Sequence, residues 1–228
     1  MEDPDIDTMP LLAWSEEALE VLSDYSDATL VKLCISHQPI LLFPLFGLVR
    51  VCWAISSITY PLYGNVQVST AILETMGIAV HYVWQFGLPL LWLSPARALV
   101  YLTVSQGLGG ILLGLVFVLN HNGRVVLNRD TAQAKDFYEI QILTSRNLNS
   151  SRIMDWVTGG LNYQIEHHLF PTLPRHNYHL VAPFVEEACA RHQVHYHKTT
   201  FVQGMIEVLK RLRIVGDLAR KQVPNTRG

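Results

Sequence analysis

Residues 98–119 read ALVYLTVSQGLGGILLGLVFVL, a run with no charged side chain. A helix needs about 20 apolar residues to cross the hydrocarbon core of a bilayer. The glycines and serine in this run are the small residues that membrane helices use to pack. The stretch before it, residues 71–93 (AILETMGIAVHYVWQFGLPLLWL), is long enough as well. Only Ser94-Pro95-Ala96-Arg97 separates the two. So short a link forces an antiparallel hairpin, and the chain before 71 and after 119 then emerges on one side. Fourteen of the 17 Lys and Arg residues lie beyond residue 120. The bias of basic segments toward the cytosol assigns that side.

Residues 40–59 (ILLFPLFGLVRVCWAISSIT) are apolar enough to span but carry Pro44, Gly47 and a central Arg50. A charge at mid-bilayer is costly. The expectation is therefore an interfacial helix with Arg50 turned to the headgroups, a third crossing being the alternative. The fold class this implies is an all-α membrane protein: 1–39 cytosolic, 40–59 interfacial or in the membrane, 71–93 and 98–119 transmembrane, and 120–228 a cytosolic helical cap. His81 lies inside the first span; a helix-packing hydrogen bond is the leading reading of it, a functional role the second.

The polar flanks show helical patterns. Ser15–Leu22 (SEEALEVL) opens with a capping serine and early glutamates. Val181–Ala190 and Phe201–Leu212 repeat apolar residues at helical period. The net charge of −2 shows no basic excess of the kind a nucleic-acid binder uses. Cys34, Cys52 and Cys189 are odd in number and lack a CxxC, which reads as free buried thiols in a reducing compartment. The acidic opening Met1–Asp7 does not have the pattern of a signal peptide. The sequon at Asn149 falls on the cytosolic side in this topology, where it stays unglycosylated.

The chemistry concentrates at residues 159–177, GGLNYQIEHHLFPTLPRHN. Gln164, His167 and His168 stand at i, i+3 and i+4, which puts them on one face of a helix. Gly159-Gly160 precede that helix, and Pro171 and Pro174 forbid its continuation. Paired neutral imidazoles at this spacing reach a metal ion with little rearrangement. His121, in the Asn120-His121-Asn122-Gly123 that closes the apolar run, falls at the level where such a helix can lie. Histidines from separate helices at a membrane surface suit a redox iron, and zinc is the alternative. His192, His195 and His197 fall in a polar linker and read as solvated; His176 and His179 read as loop-positioning residues.

QIEHHLFPTLPRHN resembles the third histidine box of the front-end fatty-acid desaturases, in which glutamine replaces the first histidine of HxxHH. DPDIDTMPLLAWS, HQPILLFPLFGLVRVCWAIS, LNHNG and DWVTGGLNYQIEHHLFP extend the likeness, closest to fungal acyl desaturases of Δ6 type, from Asp3 to about Arg220. The resemblance implies a membrane-embedded, O2-dependent enzyme of the endoplasmic reticulum. Two irons, fed electrons by cytochrome b5 and its reductase, would place a cis double bond in an acyl lipid or acyl-CoA. It implies His121, His167 and His168 as iron ligands, Gln164 as a ligand or the holder of a water, and Glu166 as a residue orienting an imidazole. It also favours the interfacial reading of 40–59, since a crossing there would put the upstream histidine boxes opposite the third one. Those HxxxH and HxxHH boxes, and a heme-binding domain, have no counterpart in these 228 residues. The expectation is a C-terminal desaturase portion, inactive alone. Δ5 and Δ8 desaturases, a di-iron hydroxylase, a zinc-dependent hydrolase and a non-catalytic partner chain are the alternatives.

Overall fold

Two long apolar helices among the described residues keep most of their side chains on the outside. The structure, a computed structural model, describes residues 11–24, 28–127 and 129–221. The acidic opening, and the first part of the desaturase-like stretch that begins at Asp3, lie outside them. After a short 3-10 helix at Glu17–Asp24 come α1 (Ala28–Ser36), α2 (Gln38–Tyr63), α3 (Val68–Tyr82), a π turn (Val83–Gly87), α4 (Leu88–Trp92) and α5 (Pro95–His121). Then follow α6 (Arg129–Gln133), α7 (Phe137–Thr144), β1 (Asn147–Leu148), α8 (Arg152–Thr158), α9 (Gln164–Leu169), α10 (Tyr178–His192), β2 (Lys198–Thr199) and α11 (Phe201–Lys221). Among the described residues the all-α expectation is corrected by β1 and β2, a parallel pair that joins Asn147 to Lys198 and Leu148 to Thr199.

The chain divides into two bodies, residues 43–115 and residues 1–42 with 116–228. Among the described residues, α2 and α5, most of whose length lies in the first, are long and apolar enough to cross a membrane, with 11% and 22% of their most apolar stretches buried. So little burial is unlike the core helix of a soluble domain, and so large an exposed apolar surface suits membrane association. The α2 helix, 26 residues, overruns its expected 40–59 at both ends and runs straight through Pro44 and Pro61. Its length, about 39 Å at 1.5 Å per residue, suffices for a crossing. Polar side chains in these helices return to their own backbone: Ser56 donates to the Cys52 carbonyl at 3.1 Å and Thr59 to that of Ile55 at 3.0 Å.

The expected span 71–93 is helical from 68 to 92 but not uniformly so. Pro89 brings no N–H to the ladder, and just before it the Leu88 N–H bonds the Val83 carbonyl five residues back. The hairpin with α5 turns within Leu93-Ser94, and Gln85 donates across it to Ser105 Oγ at 3.2 Å. His81 sets its ring edge-on to Tyr82, centroids 5.3 Å apart. The crossing of α2 and α5 depends on glycine. A Cβ on Gly110 would lie 2.4 Å from the Phe46 carbonyl, and one on Gly114 2.5 Å from its ring. Arg50 lays its stem beside Gly109 at the same crossing, where a Cβ would be 3.8 Å away. Gly110→Leu should cost about 1–3 kcal/mol or more through overpacking. A thermal melt in detergent checks this, and an unchanged melting temperature would refute so close an approach.

In the second body, α11 is the organising element. Val208, Leu212, Val215 and Ala219 lie fully buried along one side of it. Val215 and Ala219 form a cluster with Ile35 of α1 and with Ala13 and Leu19 of the N-terminal segment. Gly216 passes so near α1 that a Cβ would meet the Ile35 carbonyl at 3.0 Å. Gln38, wholly buried, exchanges two hydrogen bonds with the Ala13 backbone and donates to the Leu212 carbonyl at 2.9 Å. One amide thus ties residues 13, 38 and 212. Of the three cysteines only Cys189 is buried; Cys34 is half-buried and Cys52 exposed on α2.

Candidate metal centre

The site begins where α5 ends, because a helix terminus leaves carbonyls without partners. Arg146, wholly buried, fills that need: its guanidinium donates to the Leu119 carbonyl at 2.6 Å, and its backbone N–H to the Asn120 carbonyl at 3.0 Å. A cation here also matches the negative end of the helix dipole. The same guanidinium pairs with Glu207 of α11 at 2.8 Å and approaches the Gly204 carbonyl at 3.4 Å. Burial pushes the Glu207 carboxyl up, but Arg146 and His197 outweigh it and hold it below its usual value. Arg124, donating to the Ser145 and Leu143 carbonyls, is pushed down to about 10 by burial and by Arg146. Gly123, at φ +78°, turns the chain where a Cβ would lie 3.0 Å from the Glu207 backbone. His197, read from sequence as solvated, is half-buried, with Nε2 3.1 Å from Glu207; burial first, then Arg124, pulls its pKa down.

The histidine pair rides on α9, only six residues long. Gly159 ends α8 in the left-handed region, and Gly160, at φ +85°, redirects the chain into α9. The rear of α9 is held firmly. Ile165 packs with Ile142, Val185 and Cys189. Glu166, wholly buried, accepts from Asn147 Nδ2 at 2.7 Å and from Tyr196 OH at 2.8 Å. Asn147 in turn accepts the Ile165 N–H at 2.9 Å. Burial raises the Glu166 carboxyl, against the lowering effect of those two bonds. Among the described residues Glu166 bonds Asn147 and Tyr196 rather than an imidazole, so here it anchors α9 as a whole.

The front of α9 faces one pocket of about 370 Å³ together with the end of α5. His121, Gln164, His167 and His168, the four residues singled out from sequence, all line it, with Asn120, Phe117, Leu161 and Arg175. The hydrogen bonds fix the chemistry of each group. The Leu161 carbonyl can only accept, so Asn120 presents its NH2 there at 2.8 Å and to Gln164 Oε1 at 3.3 Å. Gln164 therefore turns its own NH2 to His121 Nε2 at 2.9 Å and His168 Nε2 at 2.8 Å. An amide nitrogen only donates, so both Nε2 atoms carry lone pairs aimed at one place. His168 Nδ1 lies 2.5 Å from Gln141 Oε1, and His167 Nδ1 3.0 Å from Tyr178 OH. A proton on His168 Nδ1, held by Gln141, is the tautomer a metal-binding Nε2 requires. Burial, then the charge of Arg175, pulls the His167 pKa down and favours its neutral form.

Such neutral nitrogens suit a transition metal, but three imidazoles and an amide do not fill the coordination of two irons. Among the described residues no group of three or more His, Cys, Asp or Glu side chains converges as a metal site. A di-iron centre does not fit these residues alone. Sequence reasoning missed Gln141, Tyr178, Asn147, Tyr196 and Arg146, none of which carries a local motif. Only Asn120, beside His121, was within its reach.

The sequence matches the family profile described as Fatty acid desaturase over residues 1–200. The chain belongs to the fatty acid desaturase family. It is 37% identical over 224 residues to an acyl-lipid (9-3)-desaturase of Physcomitrium patens, covering 98% of this chain and 41% of the relative. It is 31% identical to a Delta(5) fatty acid desaturase of Caenorhabditis elegans, covering 96% of this chain and 49% of the relative. A Delta(6) fatty acid desaturase of the same organism is 32% identical, over 92% and 48%. This desaturase chain thus spans less than half the length of these curated relatives. By name these relatives are desaturases of differing position, so they single out no fungal Δ6 kinship. No solved structure matches the chain.

Proposed function

We propose that this chain supplies the third-histidine-box part of the di-iron centre of a front-end desaturase, with His121, His167 and His168 as ligands and Gln164 at the metal's edge. The complete protein would place a cis double bond between the carboxyl end and an existing double bond of a polyunsaturated acyl chain, in the Δ6 manner. The substrate is an acyl lipid or acyl-CoA. O2 is the oxidant and cytochrome b5 with its reductase the electron source, in the endoplasmic-reticulum membrane with the centre on the cytosolic side. The observation that carries this reading is the convergence of His121 and His168, from separate helices, on one amide nitrogen at 2.9 and 2.8 Å. An unactivated C–H bond lies beyond amino-acid side chains, and bound iron with oxygen supplies that reactivity. The residues here orient imidazoles and shape an apolar approach past Phe117 and Leu161.

The test is the fatty-acid profile of a host lacking polyunsaturated products, expressing the complete protein and fed candidate acyl chains. A new cis double bond on the carboxyl side of an existing one is the expected result. A hydroxylated product, or turnover without oxygen, would overturn the reading. Gln141→Leu and Tyr178→Phe should each lower activity about 10–100-fold, the usual effect of removing a group that orients a metal-bound imidazole. Wild-type activity in both would show that neither bond matters. Purified by itself, this 228-residue chain is expected to hold less than stoichiometric iron by elemental analysis. A full pair would contradict the shortage of ligands.

A further inference from the structure

Two histidines outside the pocket stand two residues apart, His195 and His197, with Tyr196 between them. The chain is extended there, since the His197 carbonyl accepts the Asn147 N–H at 3.0 Å just before β2. An extended chain sends successive side chains to opposite faces. Tyr196 goes to Glu166 behind α9, so His195 and His197 share the other face. Their nitrogens meet there: His195 Nε2 lies 3.4 Å from His197 Nδ1, with the ring centroids 5.6 Å apart. His195 is exposed and His197 half-buried. The inner nitrogen of His197 decides what its outer one can do. Glu207, held below its usual pKa, is ionised and only accepts, so His197 donates its Nε2–H to Glu207 Oε2 at 3.1 Å. Burial, then Arg124, pulls the His197 pKa down, so the ring is neutral near pH 7 and Nδ1 keeps its lone pair. A carboxylate behind an imidazole fixes the tautomer and raises the basicity of a metal-binding nitrogen.

We propose that His195 and His197 form a two-point site for a divalent transition-metal ion outside the histidine-box pocket, with Glu207 holding His197 in its ligand form. The distance carries the argument. A separation of 3.4 Å is long for an N–H hydrogen bond, which falls at about 2.7–3.2 Å. It matches two nitrogens on one tetrahedral zinc, which stand roughly 3.3–3.4 Å apart for bonds of about 2.0–2.1 Å. Imidazole pairs take zinc, copper or nickel, whereas magnesium and calcium prefer oxygen. Water completes the coordination. Arg124 and Arg146 act on His197 as like charges would, and Glu207 offsets them. The ion would join the chain before β2 to α11 through Glu207, and Glu207 continues to Arg146 at the end of α5. The site does not depend on the desaturase reading.

The experiment is calorimetric titration of the complete protein, in a maltoside detergent, with zinc chloride and separately with magnesium chloride. Wild type should show a saturable zinc event that magnesium does not reproduce. Glu207→Gln should weaken it by about 10–100-fold, the usual effect of removing a group that orients a metal-bound imidazole. His195→Ala, which removes a ligand outright, should weaken it further. His168→Ala, which alters the pocket instead, should leave this event in place. Zinc should also raise the melting temperature of wild type and not that of His195→Ala. The proposal is overturned if wild type binds no zinc, if His195→Ala binds it as wild type does, or if the event vanishes in His168→Ala. His195 is exposed, so its replacement removes no core packing, and a metal-free melt of each variant verifies this. Binding is read without turnover, so neither outcome of the product assay bears on it.

Discussion

His168→Ala in the complete protein is expected to abolish desaturation while leaving the fold intact. The argument is geometric. His168 Nε2 shares the Gln164 amide with His121 Nε2, and its other nitrogen is fixed by Gln141 at 2.5 Å. Alanine removes the metal-facing nitrogen and the group that Gln141 orients. The loss should exceed the 10–100-fold assigned to Gln141 itself, taking product below detection. The side chain is only half-buried, so the void it leaves opens onto the pocket and the stability cost stays small. His176→Ala, on an exposed residue of the loop after α9, serves as the control and should retain activity. Gas chromatography of the lipids, iron content and a circular-dichroism melt together decide the matter. Residual desaturation in His168→Ala would remove this imidazole from the ligand set.

The second large effect falls on stability. Arg146→Leu should cost about 3–5 kcal/mol, the range for breaking a buried ion pair from one side. The loss would leave the Leu119 carbonyl without its guanidinium donor and Glu207 without its cation. It also strips the end of α5, which carries His121, of its cap. The pH dependence should change with it. Burial pushes Glu207 up, but Arg146 and His197 together more than reverse this, so its folded pKa lies below the unfolded one. Such a carboxylate adds stability above its unfolded pKa, near 4.3, and loses it as pH falls through the folded value. Arg146→Leu should remove the share of that acid-side loss that Arg146 supports. Denaturant unfolding of wild type and variant between pH 3 and about 6, near and above the carboxylate range, measures both effects. Parallel pH profiles would show that Glu207 owes its shift to something other than Arg146.

The apolar runs and the box were readable because their information is local. An uncharged run such as 98–119 declares a helix by itself, and 164, 167 and 168 share a face at any tilt of α9. Boundaries were less legible. The α2 helix continues through Pro44 and Pro61 and reaches Gln38 because Gln38 is anchored to Ala13 and Leu212, contacts no window around residue 40 contains. The π turn was foreshadowed by Gly87-Leu88-Pro89, which a reading by hydropathy alone passes over. The supports of the site lie further out of reach. Glu166 meets Tyr196 thirty residues on, and Arg146 meets Glu207 sixty-one residues on. Nothing in either neighbourhood of sequence distinguishes these from surface polar residues. His197 illustrates the cost, since its polar flanks suggested solvent and the fold gave it a carboxylate.

The brevity of α9 has a consequence for the order in which the protein forms. A helix of six residues is far below the roughly 12–15 that an isolated helix needs to persist in water. Its own ladder cannot nucleate it; its shape is imposed by Asn147 before it and by Tyr178 and Tyr196 after it. Those partners must already be in place, so the three imidazoles gather late, after the chain from α5 to β2 has closed. Substitutions at Gln164 or His167 should therefore accelerate unfolding and leave the folding rate nearly unchanged. Amides of α9 should exchange with solvent no more slowly than those of its two flanking anchors. On this order of events the gathering of the imidazoles follows the folding of the chain and does not drive it.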